Sequence, residues 1–530
     1  MHPKGIFVCQ PFQNRLSSPR EQRCIQWPPR PGRCGSNHSC RGRPASDPGR
    51  SVRLILMPGK VLLISVNRCA SPYPVFPLGL ACLDAALRPA GYQTRWLDPQ
   101  ADAQSVQDAV ASFQPDFVGI SLRNIDDVVI KRRETFFDPL PALTEEVRRS
   151  CAAPVILGGS GFSIFPRALL QLSGADYGIQ GEGERSLPAL LRGLEQRADC
   201  SAIPGLVYRR NGSIAANPAR PLDLAELNPA LRPDSVMGYY LRETSMMNIQ
   251  TQRGCSCHCE YCSYPLIEGA RFRPRPAEAV ADELADLRRR GVKYGVIVDS
   301  IFNSSAAHVA RVCEAILRRG LNMRWTCFLR PAGLTADLMR LMARAGLAHA
   351  EFGTDSLCDS VLAAYGKQFT FDDVLHSHEL ACQAKVDSCH FLICGGPGED
   401  AGTMEEGFRN SLRLKDTAIL ALAGMRVYPG TRLHARALRE GPLPPDDGLL
   451  QPYYYFSSAL TEDRVFERLR DFSRRSPAWI VGDPPPRYME LAARLRSRGV
   501  IGPLWSYWCA AQRLAPALVQ NPSLTNCRHL

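Results

Sequence analysis

Fourteen residues, from Gln252 to Pro265, constrain this chain more than any other stretch: Gln-Arg-Gly-Cys-Ser-Cys-His-Cys-Glu-Tyr-Cys-Ser-Tyr-Pro. Four cysteines fall within eight positions, and Cys255, Cys259 and Cys262 have the spacing Cys-x3-Cys-x2-Cys. Thiolates this close on one loop can ligate separate irons of a polynuclear cluster. Three of them leave one iron of a 4Fe–4S cluster without a protein ligand, and an open iron can bind a substrate. The residues alone also admit a zinc site or reduced thiols that only pack. Cys257 is an extra thiol, and with Cys259 and Cys262 it makes a competing Cys-x-Cys-x2-Cys set.

A chain of 530 residues is too long for one ordinary core, so two or three domains are expected. A 45% hydrophobic and 22% charged composition is that of a globular protein, and no apolar run reaches the roughly 18 residues of a membrane span. The twenty cysteines are scattered through a long chain with no signal-type segment ahead of them. That is the pattern of reduced thiols in a cytoplasmic protein, not of a disulfide scaffold. The net charge of +12 is unevenly placed: residues 1–56 hold nine Arg and one Lys against Glu21 and Asp47, leaving +4 for the rest. The charge therefore makes no case for nucleic acid. Residues 1–56 lack apolar periodicity and read as a disordered basic segment. Met57-Pro58-Gly59-Lys60, just ahead of the first strand, is a candidate native start.

From Lys60 onward, strand and helix patterns alternate. Strands are expected at Lys60–Val66, Gln93–Leu97, Phe117–Ser121, Val155–Leu157 and Tyr177–Ile179, with helices between them and one more running to Leu194. Five such units predict a doubly wound parallel sheet over 57–199, with ligands at the carboxyl ends of its strands. A connector, 200–245, contains a hairpin with an Asn211-Gly212 turn. From Met246 to Gly441, six further strand–helix repeats predict a partial (β/α)6 barrel, whose functional groups belong at the strand carboxyl ends. Residues 442–530 read as largely helical. Tyr453-Tyr454-Tyr455-Phe456 reads either as a cover over the barrel mouth or as a core contact, and Trp505 and Trp508 as helix packing.

With the three-cysteine loop, the Arg253-Gly254 lead-in and Tyr261 just before the last cysteine, the chain resembles the radical S-adenosylmethionine (SAM) superfamily. The resemblance implies a 4Fe–4S cluster on Cys255, Cys259 and Cys262, SAM on the open iron, and Tyr261 near the adenine. Further SAM contacts are implied at Asp299, at Gly353, Asp355 and Ser356, and at the glycine-rich Gly395-Gly396. The family commonly has Glu where this chain has Asp355. Arg273 and Arg275 are candidates for an anionic group.

The first domain resembles the cobalamin-binding domain that precedes many radical SAM cores. Pro77-Leu78-Gly79-Leu80, Asp98, Gly119-Ile120-Ser121, Gly158-Gly159 and Gly181-Glu182-Gly183-Glu184 carry the likeness. Cobalamin contacts are implied at Gly119, Ser121, Gly158, Gly159, Gly181 and Glu182, where glycines let the backbone approach a large planar ligand. One element departs from the family. Many cobalamin domains use Asp-x-His-x-x-Gly, whose histidine ligates cobalt; this chain has Asn67-Arg68-Cys69, and no histidine lies between His38 and His258.

Together these likenesses imply a cobalamin-dependent radical SAM enzyme that methylates an unactivated carbon of a small-molecule, lipid or natural-product substrate through a 5′-deoxyadenosyl radical. An external electron donor of flavodoxin or ferredoxin type is implied. A cobalamin-binding cyclase or rearrangement enzyme is the alternative within the class, and a non-catalytic metal-binding or regulatory protein the alternative outside it. Methylthiolation is disfavoured, since Cys69, Cys82 and Cys151 form no compact cluster set.

Overall fold

Two parallel sheets follow each other along the chain in the computed structural model, which describes residues 59–68, 73–441, 443, 448–482 and 486–510. The expectations for residues 1–56, Met57, Cys69, most of 442–447 and the tail after Ala510 lie outside these residues. The first sheet contains β1 (Lys60–Ser65), β2 (Gln93–Leu97), β3 (Phe117–Ser121), β4 (Val155–Gly158), β5 (Tyr177–Ile179), β6 (Leu206–Arg210) and β7 (Ser213–Ala216), in the order β2-β1-β3-β4-β5-β6-β7. β1 to β5 are parallel. Val61 to Ile64 are buried, as a strand covered on both faces requires. The chain reverses direction across the sheet at β1, between β2 and β3, which leaves a crevice at the strand carboxyl ends.

β5 has only three residues, and alone it would leave an open edge. The hairpin β6–β7 covers that edge, pairing antiparallel with β5. Its turn residues Asn211 and Gly212 have φ of 49° and 77°, the left-handed pair that a primed two-residue turn needs. The hairpin expected in the connector thus extends the first sheet.

The second sheet is an arc of β8 (Met246–Ile249), β9 (Tyr294–Ile297), β10 (Arg324–Leu329), β11 (Leu347–Asp355), β12 (Asp387–Cys394), β13 (Thr417–Ala423) and β14 (Trp479–Val481). All neighbours are parallel. Helices lie between successive strands up to β13, and polar side chains start several of them. Ser305, Thr335, Thr370 and Asp400 each accept a hydrogen bond from the third residue onward, satisfying backbone donors that a helix start leaves unpaired. The expected strand Ile419–Val427 is broken at Gly424, whose φ is 76°. Beyond it Met425–Arg426 pairs with Tyr454–Tyr455. The tyrosine run therefore serves the core, not a mouth cover. β14 was not legible, because a three-residue apolar run between helices carries no period.

Side chains alternate across these strands. Cys327, Leu329, Ala350 and Phe352 point outward into the helices. Phe328, Glu351, Cys389 and Ala418 share one register row on the inner face. A short helix over 504–510 inserts Trp505 and Cys509 against Cys389 and Ala418, flooring the barrel lumen. Among the described residues no helix is long and apolar enough to cross a membrane.

Candidate active site

The cysteine loop leaves β8 through Thr251, Gln252, Arg253 and Gly254. Asp299, just past β9, fixes that exit. Its Oδ1 accepts from the backbone N–H of Thr251 at 2.7 Å and of Gln252 at 3.2 Å, and its Oδ2 accepts from the Thr251 hydroxyl. Burial lifts the Asp299 carboxyl to about 7. Gly254 has φ of 83°, and a Cβ there would lie 2.1 Å from the carbonyl oxygen of Arg271, so only glycine fits. Further along, the backbone N–H of Glu260 donates to the Tyr365 carbonyl at 3.0 Å, and that of Leu433 to the Glu260 carbonyl at 2.8 Å. The loop is held from several elements before any ligand arrives.

Cys255 is buried, while Cys257, Cys259 and Cys262 are partly buried. The Cys255 thiol donates to Cys257, which raises Cys255 and holds Cys257 down at about 6. Burial pushes Cys262 up to about 11. Burial also raises Cys259, against the pull of the Lys367 ammonium beside it. Among the described residues no three His, Cys, Asp or Glu side chains converge at single-ion distance. Cysteine thiols grouped on one restrained loop are a donor set that suits a polynuclear cluster, which takes its thiolates on separate irons.

The structure brings Tyr261 and Asp355 together: the Tyr261 hydroxyl donates to Asp355 Oδ2 at 2.5 Å. Lys367 forms an ion pair with the same carboxylate and lies 5.5 Å from the Tyr261 ring centre. Burial would lower the Lys367 ammonium, but the Asp355 charge outweighs it and holds it high. Asp355 has φ of 63°, a conformation that the surrounding contacts must enforce. Gly353, two residues earlier, faces open space, with nothing within 4 Å of an added Cβ. Ser356 is occupied locally, its Oγ accepting from the Cys358 N–H at 3.2 Å. Gly395 and Gly396 are buried, and their N–H groups bind Glu399 and Tyr365. A Cβ at Gly396 would lie 2.4 Å from the Tyr365 hydroxyl. These two glycines admit protein rings, with their N–H donors already used.

Across from the cysteine loop lies a cavity of about 550 Å³, at the carboxyl ends of the first sheet. Gly119, Ser121, Gly158, Gly159, Gly181 and Glu182 all line it. Gly159 has φ of 104°, and a Cβ there would meet the Leu122 carbonyl oxygen at 2.3 Å. Asn248, Gln250, Arg253, Tyr264, Glu268 and Tyr428 form the facing wall. No histidine is among the lining residues. A concave, glycine-edged space at a strand-order switch point suits a large planar cofactor.

Glu182 is largely committed to protein partners. It accepts from Arg253 Nη1 at 3.1 Å, from both Nη atoms of Arg273 at 2.9 Å and from the Leu222 N–H at 2.6 Å. Burial raises this carboxyl, but the Arg273 hydrogen bond and the Arg253 charge outweigh it, leaving it below the ordinary range. Arg275 is likewise taken, by Glu283 at 2.7 Å. Two further links tie the first domain to later segments, one to the barrel and one to the connector. Arg426 Nε donates to Asp126 at 2.8 Å, and the Tyr240 hydroxyl to Asp98 at 2.6 Å. Sequence reading missed Lys367, Tyr365 and Asp126, which no motif marks. It quoted Arg253 and Glu184 without seeing that they meet.

A Radical SAM superfamily model matches residues 249–409, and a B12 binding domain model matches residues 64–191. Tryptophan 2-C-methyltransferase of Streptomyces laurentii is 28% identical over 454 residues, spanning 73% of this chain and 75% of that protein. An uncharacterized methyltransferase of Pyrococcus horikoshii is 25% identical over 396 residues, spanning 73% of this chain and 83% of that protein. Among solved structures, the radical SAM methyltransferase TsrM from Kitasatospora setae, with cobalamin and a 4Fe–4S cluster bound, superposes with a TM-score of 0.76 at 23% identity. The match covers 88% of this chain and 100% of that one, and at this identity it is a likeness of fold. The chain thus carries a B12 binding domain followed by a Radical SAM superfamily domain, the two modules of cobalamin-binding radical SAM proteins.

Proposed function

We propose that the protein is a cobalamin-dependent radical SAM methyltransferase acting on a carbon of a small molecule. The observation that carries this reading is a shared wall: Arg253 and Tyr264, which flank the cysteine loop, line the glycine-edged cavity of the first sheet. Two reactive groups held on these two surfaces would face one substrate space. The two relatives described above are both methyltransferases by name.

When bound, the cluster with SAM supplies a 5′-deoxyadenosyl radical and cobalamin supplies methyl-transfer chemistry. The chain supplies ligands, position and exclusion of water. Cys255, Cys259 and Cys262 are the proposed cluster ligands. Asp299 holds the loop stem, and Asp355 with Lys367 holds Tyr261 against the loop. Gly353 leaves room for SAM on the inner face. Gly119, Gly158, Gly159 and Gly181 leave room for cobalamin. Buried ion pairs between sheet and barrel close the space between the cofactors. Electrons are assigned to an external donor of flavodoxin or ferredoxin type.

The test is anaerobic reconstitution followed by incubation with SAM deuterated on its methyl group, a low-potential reductant and candidate small molecules. A product heavier by one deuterated methyl supports the proposal. Cobalamin-free protein that transfers the label equally well would contradict it.

A further inference from the structure

The segment that follows the helix Asp359–Ala364 is pressed against the cysteine loop. That helix ends in two nested bonds. The Gly366 N–H donates to the Ala363 carbonyl at 3.0 Å, and the Lys367 N–H to the Leu362 carbonyl at 2.9 Å. Such an ending needs a left-handed residue between helix and exit, and Gly366 has φ of 73°. A Cβ on Gly366 would lie 2.7 Å from the His258 carbonyl oxygen and 3.6 Å from the Cys259 Cα. This close backbone approach sets Lys367 beside Cys259.

The Lys367 side chain is 8% exposed. Burying an ammonium is costly unless charged or polar partners take its donors. Its partners include Asp355, whose Oδ2 also accepts from the Tyr261 hydroxyl. They include the Cys259 sulfur as well, which takes a hydrogen bond from the ammonium. Burial is the larger influence on Cys259 and Cys262, yet of the two charges the ammonium outweighs the Asp355 carboxylate at each. Arg330 also acts on the loop, at Cys257, and its Nη2 donates to the Gln368 carbonyl at 2.7 Å. A reduced cluster carries one more negative charge than an oxidised one. A cation beside it and an N–H donor on its sulfur both stabilise that extra charge.

Resting on the assignment of the cluster to Cys255, Cys259 and Cys262, we propose that Lys367 sets the cluster's reduction potential. Its ammonium, bonded to the Cys259 sulfur, makes the cluster easier to reduce, and Asp355 opposes it. The electron comes from the external donor. No bond forms or breaks at Lys367, and its proton stays on nitrogen.

The test is a mediated redox titration of anaerobically reconstituted full-length protein without SAM, read by electron paramagnetic resonance of the reduced cluster. Lys367→Met removes the charge at nearly constant length. At one fixed poise its ratio of reduced to oxidised cluster should fall about tenfold, which is about 59 mV for a one-electron couple. Lys367→Arg should recover most of that loss. Asp355→Asn keeps an acceptor for Tyr261 and removes the opposing charge, so its ratio should rise. A merely structural role would admit water to the cluster in both variants and move both ratios in the same direction. An unchanged or raised ratio in Lys367→Met, or a Lys367→Arg ratio as low as that of Lys367→Met, overturns the proposal. So does an Asp355→Asn ratio that stays or falls. If Lys367→Met takes up no cluster, Asp355→Asn decides alone. Iron in the unmodified protein keeps the two readings apart. Without about four irons per chain the cluster assignment fails; with them and without opposite shifts, only the role of Lys367 fails.

Discussion

Arg253 and Glu184, 69 residues apart in sequence, meet at 2.6 Å between Arg253 Nη2 and Glu184 Oε1. Arg253 lies two residues before Cys255, and Glu184 lies in the helix Gly183–Gln196 that leaves β5. The stem of the cysteine loop and the glycine-rich end of the first sheet are therefore one mechanical unit. Both side chains are nearly inaccessible, at 8% and 9% exposure. Glu182 shares the same guanidinium but also keeps Arg273, so removing Arg253 leaves Glu184 as the buried carboxylate short of a cation.

Arg253→Ala should destabilise the fold by about 3–5 kcal/mol, the range for removing one partner of a buried ion pair. Glu184→Gln should cost less, since Glu182 still neutralises Arg253. Chemical denaturation of both variants checks this. Corrinoid content should fall in Arg253→Ala, because the same side chain lines the cavity.

Replacing Cys255, Cys259 or Cys262 by Ala should each abolish the visible absorbance of the reconstituted cluster and SAM cleavage with it. Cys257→Ala should keep both. An empty cluster site in Cys257→Ala alone would transfer the ligand role to that thiol.

Two buried acids give opposite pH signatures. The Glu182 carboxyl is held below its ordinary range. Its stabilising contribution is complete above the ordinary carboxylate pKa and is lost as pH falls through the lower folded-state value. Burial lifts Glu399 to about 7, so the fold favours its protonated form. That contribution is complete at acid pH and is lost as pH rises from about 4.5 to 7, a change of roughly 3 kcal/mol. Glu399→Gln keeps an acceptor for Gly395 and Tyr365. Stability curves from pH 4 to 8 should lose slope in Glu399→Gln between about 4.5 and 7 and keep their acid limb. An unchanged slope would show that Glu399 does not titrate there.

No histidine lines the cavity of the first sheet. Electron paramagnetic resonance of the cobalamin-loaded, reduced protein should show either no axial nitrogen splitting or a splitting insensitive to 15N-histidine labelling. A splitting that responds to that label would assign a protein imidazole to cobalt.

The legible parts of the sequence were those where chemistry or backbone geometry acts locally. The cysteine spacing of a cluster loop must be short, so Cys255, Cys259 and Cys262 stood out. Glycines at strand ends, such as Gly158-Gly159, follow directly from the turn they make. Arg253 with Glu184, Arg426 with Asp126 and Trp505 with Glu351 were not legible, because each pair closes over a long loop and no period links its members. Gly395-Gly396 was located as a strand-end loop, yet its donors are taken by Tyr365 and Glu399, which only packing reveals. Arg273 and Arg275 read as anion binders by type, and the structure gives both to neighbouring glutamates.

The most direct measurement is of cofactor content and SAM products in one anaerobically reconstituted sample under reduction. The account predicts about four irons and about one cobalamin per chain, with both 5′-deoxyadenosine and S-adenosylhomocysteine formed from SAM. Iron bound without corrinoid, and no S-adenosylhomocysteine, would contradict it.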